Sequence, residues 1–286
     1  MTIASRDNLL PITGYLNRIS GRPGDTLEVK VSAQGQGDYV ADVVRIQCAD
    51  PNPAGPGLIY QPQDFGLAGD YPARAQQIDL GSYAVIPADP MFSADRLCFG
   101  VTAQPRLLRA APSVIAGARD AAGRGWVLEV SETGLDFRHI SLTGETAVAL
   151  PIRLSRRRWV RIWAGYDRAA GRLLLGCADP DGGNEQVVEI AATLAPLPGG
   201  APLLLAAEKP GAISTRHYNG RLEDPAFYAE LTETPPPLPA GAPAGVLLAW
   251  GDFALGIATQ TISDRGARGL GGRLVNIPYR GMRGAL

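Results

Sequence analysis

Between residues 81 and 228 one pattern repeats: a short apolar run of the kind that pleats into a strand, then a turn. The runs read SYAVI (82–86), RLCFGVTA (96–103), GWVLEVS (125–131), LDFRHISL (135–142), RWVRIWAGY (158–166), RLLLGCA (172–178), QVVEI (186–190), PLLLAAE (202–208) and NGRLEDPAFYAEL (219–231). Thr133-Gly134, Ala170-Gly171, Asp181-Gly182 and Gly199-Gly200 punctuate them. Many short strands at this spacing, with almost no helical periodicity, predict an all-β sandwich or barrel. Within 125–131 the period of two puts Trp126, Leu128 and Val130 toward the core and Glu129 toward solvent. Composition agrees, since Gly 35 and Pro 24 among 286 residues work against long helices, each interior Pro costing about 3 kcal/mol and each Gly about 1.

The flanks differ from this centre. Residues 26–32, TLEVKVS, place Leu27, Val29 and Val31 on one face, the pattern of a half-buried strand, with Pro23-Gly24-Asp25 as its turn entry. YVADVVRIQC (39–48) reads as a second strand, close enough for a hairpin with the first through Gly35–Asp38. DPNPAGPG (50–57) can continue neither strand nor helix. TETPPPLPAGAP (232–243) reads as an extended linker, with peptide recognition by the PPPLP run as the lesser alternative. GVLLAWGDFALGI (245–257) is a further strand region, followed by the Gly-rich DRGARGLGGRLVN (264–276), and the chain stops at Gly284-Ala285-Leu286 like an unfinished domain. The organisation expected is a β-rich segment over 1–80, a sandwich over 81–231, a Pro-rich linker over 232–244 and returning strands over 245–286.

A net charge of −1 offers no electrostatic pull on a phosphate backbone or an anionic membrane, so neither nucleic acid nor membrane is expected as partner. Cys48, Cys98 and Cys177 are odd in number and match no metal spacing, which predicts a reducing, cytoplasmic setting. No signal-peptide stretch precedes Tyr15, and no window reaches the about 18 apolar residues of a membrane span.

Chemistry is hard to find. His139 and His217 form no metal pairing, each sits inside a strand pattern, and both read as structural histidines. There is no Gly-x-Ser-x-Gly elbow and no Walker loop. Adjacent Glu223 and Asp224 would point to opposite faces of a strand, unlike a glycosidase pair. Asp179, Asp181, Asn184 and Glu185 imitate a calcium loop without its spacing and read as an acidic turn. No catalytic, cofactor or metal residue emerges. One surface does: Arg153, Arg156, Arg157, Arg158 and Arg161 cluster, and alternation places Trp159, Arg161 and Trp163 on one face, where guanidinium could stack on indole and form a binding surface.

The ordered runs ITGYLNRISGRPGDTLEVKVS, VRIQCADPNPAGPG, GDYPARAQ and GSYAVI, then HYNGRLEDPAFYAEL, the Pro-rich segment, AWGDFALGI and DRGARGLGGRLVNIPYRG, resemble the front part of the large (β) subunit of N,N-dimethylformamidase. Ala49 and the extra Gly251 in Trp250-Gly251-Asp252-Phe253 are local departures from the family pattern. The resemblance implies a laminin-G-like, concanavalin-type antiparallel β-sandwich with a small N-terminal β-rich extension. It also implies that the hydrolysis of small N-alkylated formamides, and the iron held by tyrosines and a glutamate, belong to a later part without counterpart here. This chain alone would then hold no cofactor and be inactive. Its partners would be protein subunits: the catalytic part, a small subunit, or further copies of itself.

In laminin-G-like sandwiches the Asn-Gly-x-Leu strand comes last and pairs with a strand that comes first. Here Asn219–Tyr228 precedes the first-type segment at 247–253, so a circularly permuted sandwich is expected, with antiparallel pairing of 247–253 to 220–228 and Trp250 buried. Two functions remain open: scaffold portion of a dimethylformamidase-like amide hydrolase, or a free-standing lectin-like binding module for glycans or proteins.

Overall fold

The structure, a computed structural model, describes residues 11–18, 20–34, 37–76 and 79–281. Residues 1–10, the Gly35-Gln36 step of the expected hairpin and the last residues, 282–286, lie outside these. Two compact units emerge, Met1–Ile78 and Asp79–Leu286.

The first unit contains β1 (Ile12–Leu16), β2 (Val29–Ala33), β3 (Asp38–Ala41), β4 (Val44–Ala49), β5 (Leu58–Pro62) and β6 (Gly69–Pro72). They form three separate antiparallel pairs: β1 with β2, β3 with β6, and β4 with β5. The hairpin expected between 26–32 and 39–48 does not form, because β2 has its ladder with β1. The DPNPAGPG run closes β4–β5 by side-chain turns, Asn52 N–H donating to Asp50 Oδ1 at 2.9 Å and Ala54 N–H to Asn52 Oδ1 at 3.1 Å. Of the half-buried face expected of 26–32, Val31 is half-buried but Leu27 and Val29 are exposed, and Ala33 is the one buried apolar residue among those described in this unit.

The second unit carries β7 (Tyr83–Ile86), β8 (Arg96–Leu107), β9 (Ser113–Arg119), β10 (Gly125–Val130), β11 (Leu135–Ser141), β12 (Gly144–Leu150), β13 (Val160–Asp167), β14 (Arg172–Ala178), β15 (Gln186–Ala191), β16 (Leu203–Leu205), β17 (Asn219–Tyr228), β18 (Leu247–Asp252), β19 (Thr261–Asp264) and β20 (Gly272–Val275). One continuous ladder joins them in the order β12-β11-β10-β9-β16-β7-β20-β19-β18-β17-β8-β13-β14-β15. The ladder folds over on itself, and residues from both halves share one core. The Trp126 ring of β10 meets Phe99 of β8 at 5.6 Å and Phe227 of β17 at 6.2 Å, and the indole N–H donates to Phe92 O at 2.9 Å. This is the all-β sandwich that the strand pattern predicts. Trp126, Leu128 and Val130 do face the core.

Glu129 does not face solvent; it is 2% exposed. The reason is lateral. Arg138 on the neighbouring strand and Arg216 bracket its carboxylate at 3.1 and 2.5 Å. Arg216 continues to Glu208, and Glu208 to Arg119 at 2.7 Å. Alternation predicts which face a side chain leaves by, and the ion pairs decide whether that face is wet.

Residues 247–275 sit between β17 and β7. Ala226 pairs with Trp250, Phe227 with Ala249 and Tyr228 with Leu247, all antiparallel, and Trp250 is buried. β20 completes the link by pairing with β7. A register shift in β17 against β8 leaves Asp224 and Pro225 as a bulge, where proline's missing N–H interrupts no ladder bond. The Asp224 carboxylate accepts the Trp250 indole N–H at 2.9 Å.

Candidate functional site

The structure corrects the open stacking face expected of Trp159, Arg161 and Trp163. Trp159 precedes β13 and is half-buried. Arg161 and Trp163 leave the sheet on its outer side, but the Pro-rich segment lies over them as a strap. The physical cause lies in proline itself. Pro235, Pro236, Pro237 and Pro239 carry no N–H to sustain a ladder, yet the segment retains acceptor carbonyls, and the outer face of the sheet supplies donors. Trp163 Nε1–H donates to Thr232 O at 3.1 Å, the Arg161 guanidinium to Pro236 O, and Tyr228 O–H to Pro237 O at 2.9 Å. Residues 232–239 are thus neither an open linker nor a free recognition motif. Beneath the strap a small cleft is lined by Gly100, Thr102, Arg161, Trp163, Asp224 and Tyr228. Burial pulls the Arg161 pKa below its ordinary value, though it stays a cation. The cation–π contact expected here occurs elsewhere, with Arg265 over the Trp250 ring at 5.2 Å.

A second constellation escaped the sequence reading. Asp79, just ahead of β7, reaches a turn more than 130 residues later. Its Oδ1 accepts the Ser214 amide at 2.6 Å and the Ser214 hydroxyl, and its Oδ2 accepts Tyr83 O–H at 2.9 Å and Lys209 Nζ at 3.0 Å. His217 Nε2 lies 3.0 Å from Ser214 Oγ. Serine, histidine and aspartate are therefore together, but the order of bonds is not that of a nucleophilic triad, in which serine donates to histidine and histidine to the acid. The Ser214 hydroxyl donates to the Asp79 carboxylate, the strongest acceptor within its reach, and His217 Nε2 lies on the other side of Oγ. His217 Nδ1 is buried and has no hydrogen-bond partner.

Burial by itself would raise the Asp79 carboxyl. The Ser214 hydroxyl and amide, Lys209 and Tyr83 outweigh it and hold the group well below the usual carboxylate range. Gly81 makes the close packing possible: it has φ +84°, and a Cβ there would come within 2.6 Å of the His217 ring. No local motif announces this cluster, because its members meet only through the pairing of distant segments.

His139 stacks edge-on against Tyr166 at 4.8 Å, and burial lowers its pKa to about 4, so it is neutral near pH 7. The acidic turn at 179–185 satisfies itself, Asn184 donating to Asp179 at 2.6 Å. Burial pushes the Cys98 thiol up to about 12. The Cys177 thiol is raised to about 11, first by burial and then by the nearby Asp179 charge. Among the described residues no three of His, Cys, Asp and Glu converge as a metal cluster, and no helix is long and apolar enough to cross a membrane.

Tyr83, Tyr166 and Tyr228 do not fit the tyrosine–glutamate iron site implied by the resemblance. Tyr83 donates to Asp79, Tyr166 to Ala94 O and Tyr228 to Pro237 O, and burial raises all three pKa values, which opposes the phenolate a metal requires.

No protein-family model matches the chain. It is 27% identical to the N,N-dimethylformamidase beta subunit of Paracoccus aminophilus over an alignment of 311 residues, covering 96% of this chain and 40% of the relative. It is 28% identical to the N,N-dimethylformamidase beta subunit of an Alcaligenes species over 314 residues, with the same coverage, 96% and 40%. These matches bear out the resemblance carried by the motifs. The chain spans about two fifths of the length of these curated relatives. Among solved structures, a putative carbohydrate binding protein from Bacteroides ovatus superposes with a TM-score of 0.54 at 11% identity, over 91% of this chain and 74% of that one. That likeness is one of fold.

Proposed function

We propose that this chain is the non-catalytic scaffold portion of an N,N-dimethylformamidase-like amide hydrolase. The observation that carries the reading is the near-complete match of the chain, 96%, to only 40% of each dimethylformamidase beta subunit. The wiring of Ser214, His217 and Asp79 supports it, since that cluster holds segments together and its serine donates to the aspartate. The order of β17 and β18 supports a circularly permuted sandwich, with 245–286 as its closing strands. The three free cysteines, two with raised thiol pKa values, support a reducing, cytoplasmic setting. The test is formate release from N,N-dimethylformamide by the purified chain, with and without added iron. None is expected; iron-dependent release would overturn the reading.

The lectin-like module is the second reading, favoured by the fold it shares with a protein described as carbohydrate binding. Specific retention on a glycan array, lost on Trp159→Ala, would favour it over the scaffold.

A further inference from the structure

The first unit has almost no interior of its own. Among its described residues only Ala33 is a buried apolar residue, while Val29, Val40, Phe65 and Leu67 are exposed. The β4–β5 hairpin is the extreme case. Consecutive strand residues point to opposite faces, and Leu58, Ile59 and Tyr60 are 62, 43 and 52% exposed. Both faces of the hairpin therefore expose apolar side chains, interrupted only by Arg45, Gln47 and Gln61. Val44 and Ile46 on the paired strand are exposed as well. An isolated two-stranded hairpin is marginal in water, and a bare apolar strand edge invites association unless charge or cover blunts it. Between residues 44 and 62 the only ionisable charges at neutral pH are Arg45 and Asp50, which cancel. A surface of this kind fits neither an anionic polymer nor a charged membrane face; it fits an apolar protein groove.

We propose that the β4–β5 hairpin is a docking element that inserts into the polypeptide making up the rest of the dimethylformamidase beta subunits. The relatives supply the argument for that occupant, because about three fifths of their length has no counterpart in this chain. This inference rests on the scaffold reading and adds the surface through which the scaffold engages its partner.

The test mixes the full 286-residue chain with the unmatched part of the Paracoccus aminophilus beta subunit, expressed separately, and follows amide hydrogen exchange by peptide. At least tenfold slower exchange over 44–49 and 58–62 is expected on mixing, together with loss of the complex in Leu58→Asp and Ile46→Asp. Both positions are exposed, so these variants should keep the free-chain exchange of 79–281, which verifies that they fold. A complex that leaves 44–62 unprotected would overturn the docking inference while the scaffold reading stands. Exchange already slow in the free chain would overturn it too, assigning the hairpin to a second copy if protection fades on dilution and to this chain's own surface if it does not. Absence of any complex would also overturn it, and the formate measurement would still judge the scaffold reading by itself.

Discussion

Trp163 on β13 lies directly across from Gly176 on β14, and a methyl group at Gly176 would collide with the indole ring. The pair lets the outer face of the sheet hold a large ring flat, so that its N–H reaches Thr232 in the strap. Gly176→Ala should push the ring outward, break that bond and loosen the strap, at a cost of about 1–3 kcal/mol. Chemical denaturation should show the loss, and limited proteolysis should cut within 232–239 sooner than in the parent. An unchanged midpoint and cleavage pattern would mean that the strap is held without Trp163.

Asp79 links the pairing of distant segments to pH. Its carboxyl is held well below the unfolded value of about 3.9, so its stabilisation is fully present above that pH and is lost as pH falls toward the folded value. Asp79→Asn should therefore be less stable than the parent at pH 7, and the gap should narrow as pH falls below about 4. Urea midpoints measured from pH 7 down to about 2.5 would check this. A gap independent of pH would show that the carboxylate charge is not what matters.

Glu129 joins two arginines on neighbouring segments. Glu129→Ala would leave Arg138 and Arg216 facing each other without their shared acid, and because both are about one third exposed the cost should be about 2–3 kcal/mol, less than for a fully buried pair. Leu128→Ala, one residue away but facing the sandwich core, should cost about 2–5 kcal/mol. Salt separates the two mechanisms: about 1 M NaCl should shrink the Glu129 effect and leave the Leu128 effect in place.

Arg280 fills a ring of backbone carbonyls. Its Nη1 donates to Gly256, Thr259 and Thr261 at 2.8, 2.9 and 3.1 Å, and its Nη2 to Phe253 and Leu255 at 3.0 and 2.6 Å. Carbonyl dipoles aimed at one point repel unless a cation sits there. Arg280→Ala should destabilise the chain by about 1–3 kcal/mol, and tens of millimolar guanidinium ion should restore part of that where equal sodium chloride does not. Equal response to both salts would remove the carbonyl-ring account.

Most strands of the second unit were legible because a period of two in apolar residues leaves few alternatives once a sandwich buries one face: Trp126, Leu128 and Val130 read directly into the core, whereas β9 (Ser113–Arg119) and β12 (Gly144–Leu150) were not among the runs read. The same alternation at Leu27 and Val29 led to exposed side chains, since periodicity describes a strand's faces and says nothing of whether a partner covers them. Residues 50–57 were readable as a turn from Asp, Asn, Pro and Gly alone, because those side chains close the loop on themselves. The strap over Trp163 was not, since proline's want of N–H groups excludes a ladder without specifying which donors its carbonyls will meet. Nor could the sequence wire Ser214 to Asp79 rather than through His217, for that order depends on hydrogen bonds between segments far apart in the chain. Local chemistry and periodicity were settled by the sequence by itself. Burial of Glu129, the covering of Arg161 and Trp163 and the direction of the Ser214 proton were decided only by the tertiary structure, because each depends on which distant groups the folded ladder brings within hydrogen-bonding reach.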